Sequence, residues 1–191
     1  SKAEEWNIDP DRVALTGGSA GAVISMWIAY RDDMARPDSD DPVRRMSTRV
    51  TCIVPVSGPT TFDPELILKR IGGSPEIHPA LLPFFAVEKI GDLNTETKRV
   101  LVNDASPLTH VTRDDPPTFM RYSHPPGGTP LPSDASFSRS IHHTEFGVLL
   151  KEKLDALGVE NVLQYKGDGN SNLAYLRFLV KHLKPEGISR N

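Results

Sequence analysis

The sequence predicts an α/β fold in which a parallel sheet lies between helices in three layers. Three observations carry this. Short apolar runs at 13–16, 50–56, 117–122 and 161–165 read as strands, each bounded by turn residues. The segments between them are long enough for crossovers, and several have helical patterning, as parallel neighbours require. The first run passes directly into Gly17-Gly18-Ser19-Ala20-Gly21 and then into the apolar stretch AGAVISMWIAY at 20–30, giving strand, sharp turn and buried helix in that order.

The remaining elements follow along the chain. Asp9-Pro10-Asp11 turns into the first strand. Residues 31–49 carry both charges, two prolines and the cluster Asp38-Ser39-Asp40-Asp41, which reads as a surface loop; an EF-hand would need a Gly and a terminal Glu that this spacing lacks. The run 50–56 is the second strand and ends at Ser57-Gly58-Pro59, a turn at the carboxyl edge where open α/β sheets place ligands. Ser57 and Thr60 are either pocket residues or parts of a plain turn.

Residues 63–103 have a helical pattern broken at Gly72-Gly73, Pro75, Pro79 and Pro83. The double proline Pro116-Pro117 leads into the third strand, which leaves at Ser123-His124-Pro125-Pro126. A long loop ends in Ile141-His142-His143 before a helix at 145–157. The fourth strand, 161–165, precedes the loop Lys166-Gly167-Asp168-Gly169-Asn170-Ser171-Asn172 and a closing helix at 173–183. Gly158 and Gly187 fall where helices end, and His182 stands at a helix end suited to bonding terminal carbonyls.

Composition bounds the function classes. With 191 residues and 38% hydrophobic content, one domain over 1–191 is expected to build its own core. A net charge of −3 gives no reason to expect nucleic acid or an anionic membrane as partner. No apolar run approaches the roughly 20 residues that span a bilayer. Cys52, the single cysteine, lies inside the second strand and reads as a core residue. No Cys/His/Asp set has metal-site spacing and G-x-G-x-x-G is absent, so the sequence calls for neither a metal nor a cofactor.

The chemistry concentrates at Ser19. In a G-x-S-x-G elbow the backbone reverses so sharply that small residues are needed two places either side, and the hydroxyl stands exposed above the sheet. That makes Ser19 a candidate nucleophile; the competing reading is a Gly-rich turn that binds a phosphate at a helix N-terminus.

With this elbow, with the lead-in Trp6-Asn7-Ile8-Asp9-Pro10-Asp11-Arg12-Val13-Ala14, and with Ala105-Ser106-Pro107-Leu108 and Asp114-Asp115-Pro116-Pro117, the sequence resembles the α/β-hydrolase family. Within it the likeness is to the lipase, carboxylesterase and feruloyl-esterase-like branch, well over residues 1–122 and in outline beyond. The resemblance implies hydrolysis of a small carboxylic ester. It implies an oxyanion held by the Ala20 backbone N–H, and it makes 63–103 either a lid over the acyl pocket or an ordinary helical pair packed on the sheet. Members normally carry several strands and an HGG-type loop before the elbow. Here Ser19 comes within twenty residues and no HGG occurs, so the chain is expected to be the C-terminal part of the fold, with the strand before Ser19 an apolar edge open to a partner chain or self-association.

A serine nucleophile needs a general base. The family's acid should follow the third strand, where Gly127-Gly128-Thr129-Pro130 stands instead, and its histidine should lie in the loop after the fourth strand, which has none. Two accounts therefore stand open. In one, His142 or His143 reaches Ser19 while Asp168 orients the imidazole, since a triad is defined by geometry and role; against it, the pair simply caps the next helix. In the other, the chain is a degenerate, non-catalytic binding protein on the same scaffold. His78 and His110 read as structural or exposed.

Overall fold

The computed structural model describes residues 2–171 and 173–184; Asn172 and Gly187, named above, lie outside the described residues. Four strands, β1 (Ala14–Gly18), β2 (Cys52–Val56), β3 (Thr118–Tyr122) and β4 (Asn161–Tyr165), form one sheet in the order β1-β2-β3-β4. All three pairings are parallel, with Leu15 opposite Ile53, Ile53 opposite Thr118, and Met120 opposite Leu163. The three-layer α/β expectation holds, and β1 and β4 are the outer strands of this sheet among the described residues.

Alternating side chains divide the core into two clusters. Ile53 and Met120 face one side with Ala22, Met26 and Tyr30 of α1 (Ala20–Tyr30) and with Phe146, Leu150 and Leu154 of α7 (Glu145–Leu157). Cys52, Val54 and Phe119 face the other, against Phe178 of α8 (Ala174–Leu183). A sheet covered on both faces must be apolar on both, so β2 is buried along four of its five residues. Burial pushes the Cys52 thiol up to about 11, consistent with a core residue.

Between β2 and β3 run α2 (Pro64–Arg70), α3 (Leu81–Phe85), a 3-10 turn at Ile90–Asn94, α4 (Glu96–Ala105) and α5 (Pro107–His110). Asp63 starts α2 by accepting from the N–H groups of Glu65 and Leu66, with Pro64 in the first turn where its missing N–H costs nothing. Leu81, Phe85, Leu93 and Val102 of this stretch are buried in the main cluster, whereas Phe84 is exposed. Between β3 and α7 the chain forms α6 (Phe137–Ile141), a short helix that the sequence pattern did not suggest. Gly158 ends α7 in the left-handed conformation, φ 74°.

Two details differ from expectation. Among the described residues His182 meets no terminal carbonyl; its Nε2 lies 3.4 Å from Glu160 Oε1 and its ring packs on Phe178, because the closing helix lies alongside the turn that enters β4. Helix α1 is not buried all round, since Ile24 is 59% exposed on the face turned from the sheet.

Candidate active site

Ser19 sits between β1 and α1 with φ 53° and ψ −117°, a conformation that non-glycine residues rarely adopt. Neighbouring bonds hold it there. Its N–H donates to the Val56 carbonyl (2.9 Å), and its own carbonyl accepts from the N–H groups of Ala22 and Val23. A Cβ on Gly17 would lie 2.5 Å from the backbone of Gly21, so that position admits only glycine. Gly21 itself has open space where a Cβ would stand, so the expectation of a steric demand on both sides holds on one side only. A Cβ on Gly58, at the exit of β2, would lie 2.5 Å from Ala22 Cβ and 3.2 Å from the Ser19 carbonyl oxygen, so glycine there lets the strand end approach the elbow.

Ala20 is the first residue of α1, so its N–H has no acceptor within the helix and points with the positive end of the helix dipole.

His142 is the residue that meets Ser19. Its Nε2 lies 2.9 Å from Ser19 Oγ, and its Nδ1 lies 2.9 Å from the main-chain carbonyl of Ser138. A carbonyl only accepts, so Nδ1 carries the proton and Nε2 is left to accept from the serine hydroxyl. The Ser138 hydroxyl is farther away, 3.4 Å from Nδ1. The imidazole is thus turned and fixed in one tautomer by a backbone carbonyl in the first turn of α6.

The position of His142 follows from how α6 is anchored. Ser136 caps the helix, accepting from the Arg139 N–H. Leu131 is buried and bonded on both sides to the segment after α2, its N–H to the Ile71 carbonyl (2.7 Å) and its carbonyl to the Gly73 N–H (2.9 Å). Ser140 and Ile141 are buried, and a Cβ on Gly73 would stand 2.6 Å from Ser140 Oγ. At the far end Thr144 Oγ1 donates to the His124 carbonyl (2.5 Å).

His143 lines a cleft beside Ser19, but its ring bonds elsewhere. Its Nδ1 accepts from the Glu145 N–H (3.1 Å) at the start of α7, the capping role weighed for the pair, and burial lowers its pKa from 6.5. Asp168 lies elsewhere. Its carboxylate accepts from the N–H groups of Tyr165 and Asn170 and from Asn170 Nδ2, all within its own loop, and those bonds hold its pKa low. Of the sequence candidates, then, Ser19, Ala20 and His142 come together, while His143 and Asp168 serve local turns. Ser138 was not anticipated: Ser136 is a residue type that caps helices, but Arg139 stands three places on where a capping box has Glu or Gln, so the start of the short helix carried little signal.

His110 Nε2 bonds the Asp104 carbonyl, and Thr60 Oγ1 donates to the Phe146 carbonyl, so both are structural. His78 Nδ1 accepts from the Ala80 N–H beside an apolar cleft, and Ser57, with φ 49°, lines a polar one. Both clefts open at Ser19 and His142. Among the described residues no group of three or more His, Cys, Asp or Glu is arranged to hold a metal ion, and no helix is long and apolar enough to cross a membrane.

The BD-FAE family model matches residues 1–124. A curated relative, the probable carboxylic ester hydrolase LipM of Mycobacterium tuberculosis, is 32% identical over 118 residues, which is 61% of this chain and 24% of LipM. Among solved structures, the acetyl ester-xyloside bifunctional hydrolase from Caldicellulosiruptor lactoaceticus aligns with 95% of this chain and 56% of its own, at 24% identity and a TM-score of 0.57. A truncated carbohydrate esterase from gut microbiota aligns with 95% of this chain and 63% of its own, at 16% identity and a TM-score of 0.63. The chain therefore spans about a quarter of the curated relative and less than two thirds of these structures.

Proposed function

The chain belongs to the BD-FAE family and has the fold of α/β-hydrolase esterases, and on that premise we propose that it hydrolyses carboxylic esters with Ser19 as nucleophile and His142 as base. The observation that carries this reading is the 2.9 Å contact between Ser19 Oγ and His142 Nε2, made from an elbow whose backbone exposes the hydroxyl.

The chemistry follows from the two ends of the imidazole. As Ser19 Oγ attacks the ester carbonyl carbon, its proton passes to His142 Nε2. The imidazolium stays in place through its Nδ1–H bond to the Ser138 carbonyl. Charge on the former carbonyl oxygen falls to the Ala20 N–H at the start of α1. The tetrahedral intermediate collapses, the carbon–alkoxy bond breaks, and the proton on Nε2 goes to the departing alkoxide. A water then loses its proton to Nε2 as it attacks the acyl carbon, the bond from that carbon to Ser19 Oγ breaks, and the proton returns from Nε2 to Oγ as the acid leaves.

This is a dyad held by a carbonyl, in place of the triad with Asp168 that the sequence suggested. The carbonyl fixes the tautomer, as a triad aspartate does, but brings no full negative charge to face the imidazolium. In the same reading, 63–103 forms part of the wall of the acyl side, since Leu81 and Phe84 line the apolar cleft at Ser19. The open side of β1 is where a further strand or a partner chain would add to the sheet. The non-catalytic alternative rested on the absence of both expected triad partners and of the oxyanion loop; His142 answers for the base, while its Nδ1 meets a carbonyl rather than a carboxylate.

Turnover of p-nitrophenyl acetate and butyrate by the wild type and by Ser19→Ala tests the proposal. Hydrolysis that disappears in Ser19→Ala, with the circular dichroism spectrum unchanged, supports it; equal rates in both would refute it.

A further inference from the structure

The two clefts at Ser19 differ in chemistry, and the difference bears on the substrate. The apolar cleft, about 330 Å³, is walled by Val23, Ile24, Phe62, Leu81 and Phe84. It continues into a second apolar hollow of about 390 Å³ that shares four of these walls and reaches Trp27. The polar cleft is about 860 Å³ and presents Ser57, Ser123, His124, Arg139 and His143. It adjoins a space of about 450 Å³ lined by Arg121, Lys166 and Asp168, with Val56 and Ser123 common to both.

Across the polar cleft and the space beside it, Arg139, Arg121 and Lys166 outnumber one carboxylate, Asp168. The ion pairs found among the described residues use other cations, leaving Arg121, Arg139 and Lys166 without a carboxylate within 4.0 Å. Asp168, the acid in this lining, is kept ionised by N–H groups around its own loop, so it offsets one of the three positive charges and leaves an excess of two. Arg121 is oriented, its guanidinium 4.3 Å from the centre of the Tyr175 ring. Arg139 lies on α6 three residues before His142, hence on the same side of that helix. A positive cleft in a chain of net charge −3 is a local arrangement, and cations lining a concave wall concentrate anions there.

Resting on the ester-hydrolase reading, we propose that the preferred substrates carry an anionic group, such as a carboxylate, on the alcohol side of the ester, received by Arg139 with Arg121 and Lys166 behind it, while the apolar cleft takes a hydrocarbon acyl group. An ester carbon bound to Ser19 has two substituents and two clefts to place them in. The apolar cleft has no cation to receive a charge, so the charged part goes to the other. Arginine suits the task because its planar fork can meet both oxygens of a carboxylate.

The test compares 4-acetoxybenzoate, 4-acetoxybenzamide and phenyl hydrogen succinate, whose charge lies respectively on the alcohol side, nowhere, and on the acyl side. The expected result is a kcat/KM at least about 10-fold higher for 4-acetoxybenzoate than for the benzamide, carried mainly by KM. That ratio falls toward one in Arg139→Gln and in 0.5 M NaCl, where exposed charges are screened within roughly 4 to 5 Å. It is unchanged in Arg45→Gln, which removes an equal charge from the distant 31–49 loop. A ratio near one with both esters turned over, a ratio indifferent to Arg139, or a preference for the succinate would overturn the proposal and leave the ester-hydrolase reading intact. No hydrolysis of any of the three would overturn both.

Discussion

The elbow at Ser19 and the arm that delivers His142 solve one problem, holding a reactive atom in place, by different means. The elbow works through backbone alone. Ser19 is held at φ 53° between a strand and a helix, with Gly17 and Gly58 admitting chain where no Cβ fits. The arm works through anchorage at a distance. A residue bridge between Gly72 and Leu131, a buried Ser140-Ile141 pair and a capping Ser136 fix a five-residue helix whose last turn aims the imidazole. A device written in glycine spacing is compact and readable; one spread over contacts between residues 71 and 144 is neither.

The comparison breaks most sharply if the two adjacent histidines exchange roles. His142→Gln is expected to lower kcat about 10⁴-fold, on the scale seen when a base or its tautomer is lost. His143→Gln is expected to change it less than about 10-fold, because that ring caps α7 through the Glu145 N–H. Steady-state kinetics on one ester separates the two, and equal losses would merge the regions that the structure keeps apart.

Next in size is a cut at the base of the arm. Gly73→Ala puts a methyl 2.6 Å from Ser140 Oγ at φ 89°, so it is expected to destabilise by more than about 1 kcal/mol and to lower kcat through displacement of α6. Gly21→Ala, with open space at its Cβ, is the matched change at the elbow and should leave both quantities nearly unaltered. Urea denaturation and kcat measured on the same preparations decide the matter.

A smaller effect concerns pH. Burial lowers the His143 pKa below 6.5, so the unfolded chain binds more protons than the folded one as pH falls through the ordinary imidazole range. Stability from this group is present above that range and is lost on acidification through it. His143→Gln is expected to flatten that part of the stability curve, and an unchanged slope between pH 7 and 5 would contradict the assignment. The least effect is expected from Asp168→Asn, which should alter kcat less than about 2-fold, because its carboxylate faces its own loop.

These contrasts also explain what the sequence made legible. All four strands and the helices α1, α7 and α8 stood out, because short apolar runs and helical periodicity are local signals. Ser19 and Ala20 came with the elbow for the same reason. The choice between His142 and His143 did not, since two neighbouring histidines differ only in which end of a short helix they leave, and that helix was not evident in 137–141. Asp168 looked like an orienting acid because acids and bases are sought across the carboxyl edge of the sheet. What excluded it is local: an aspartate followed two residues later by asparagine closes its own turn. A backbone carbonyl such as that of Ser138 leaves no mark in sequence at all.

The most direct test of the Ser19–His142 account is labelling with a fluorophosphonate probe, followed by mass mapping of the adduct in the wild type, His142→Gln, His143→Gln and Asp168→Asn. The account predicts one adduct, on Ser19, forming at similar rates in the wild type, His143→Gln and Asp168→Asn and at least about 100-fold more slowly in His142→Gln. Labelling of Ser19 that survives loss of His142, or that vanishes with His143 or Asp168 instead, would contradict it.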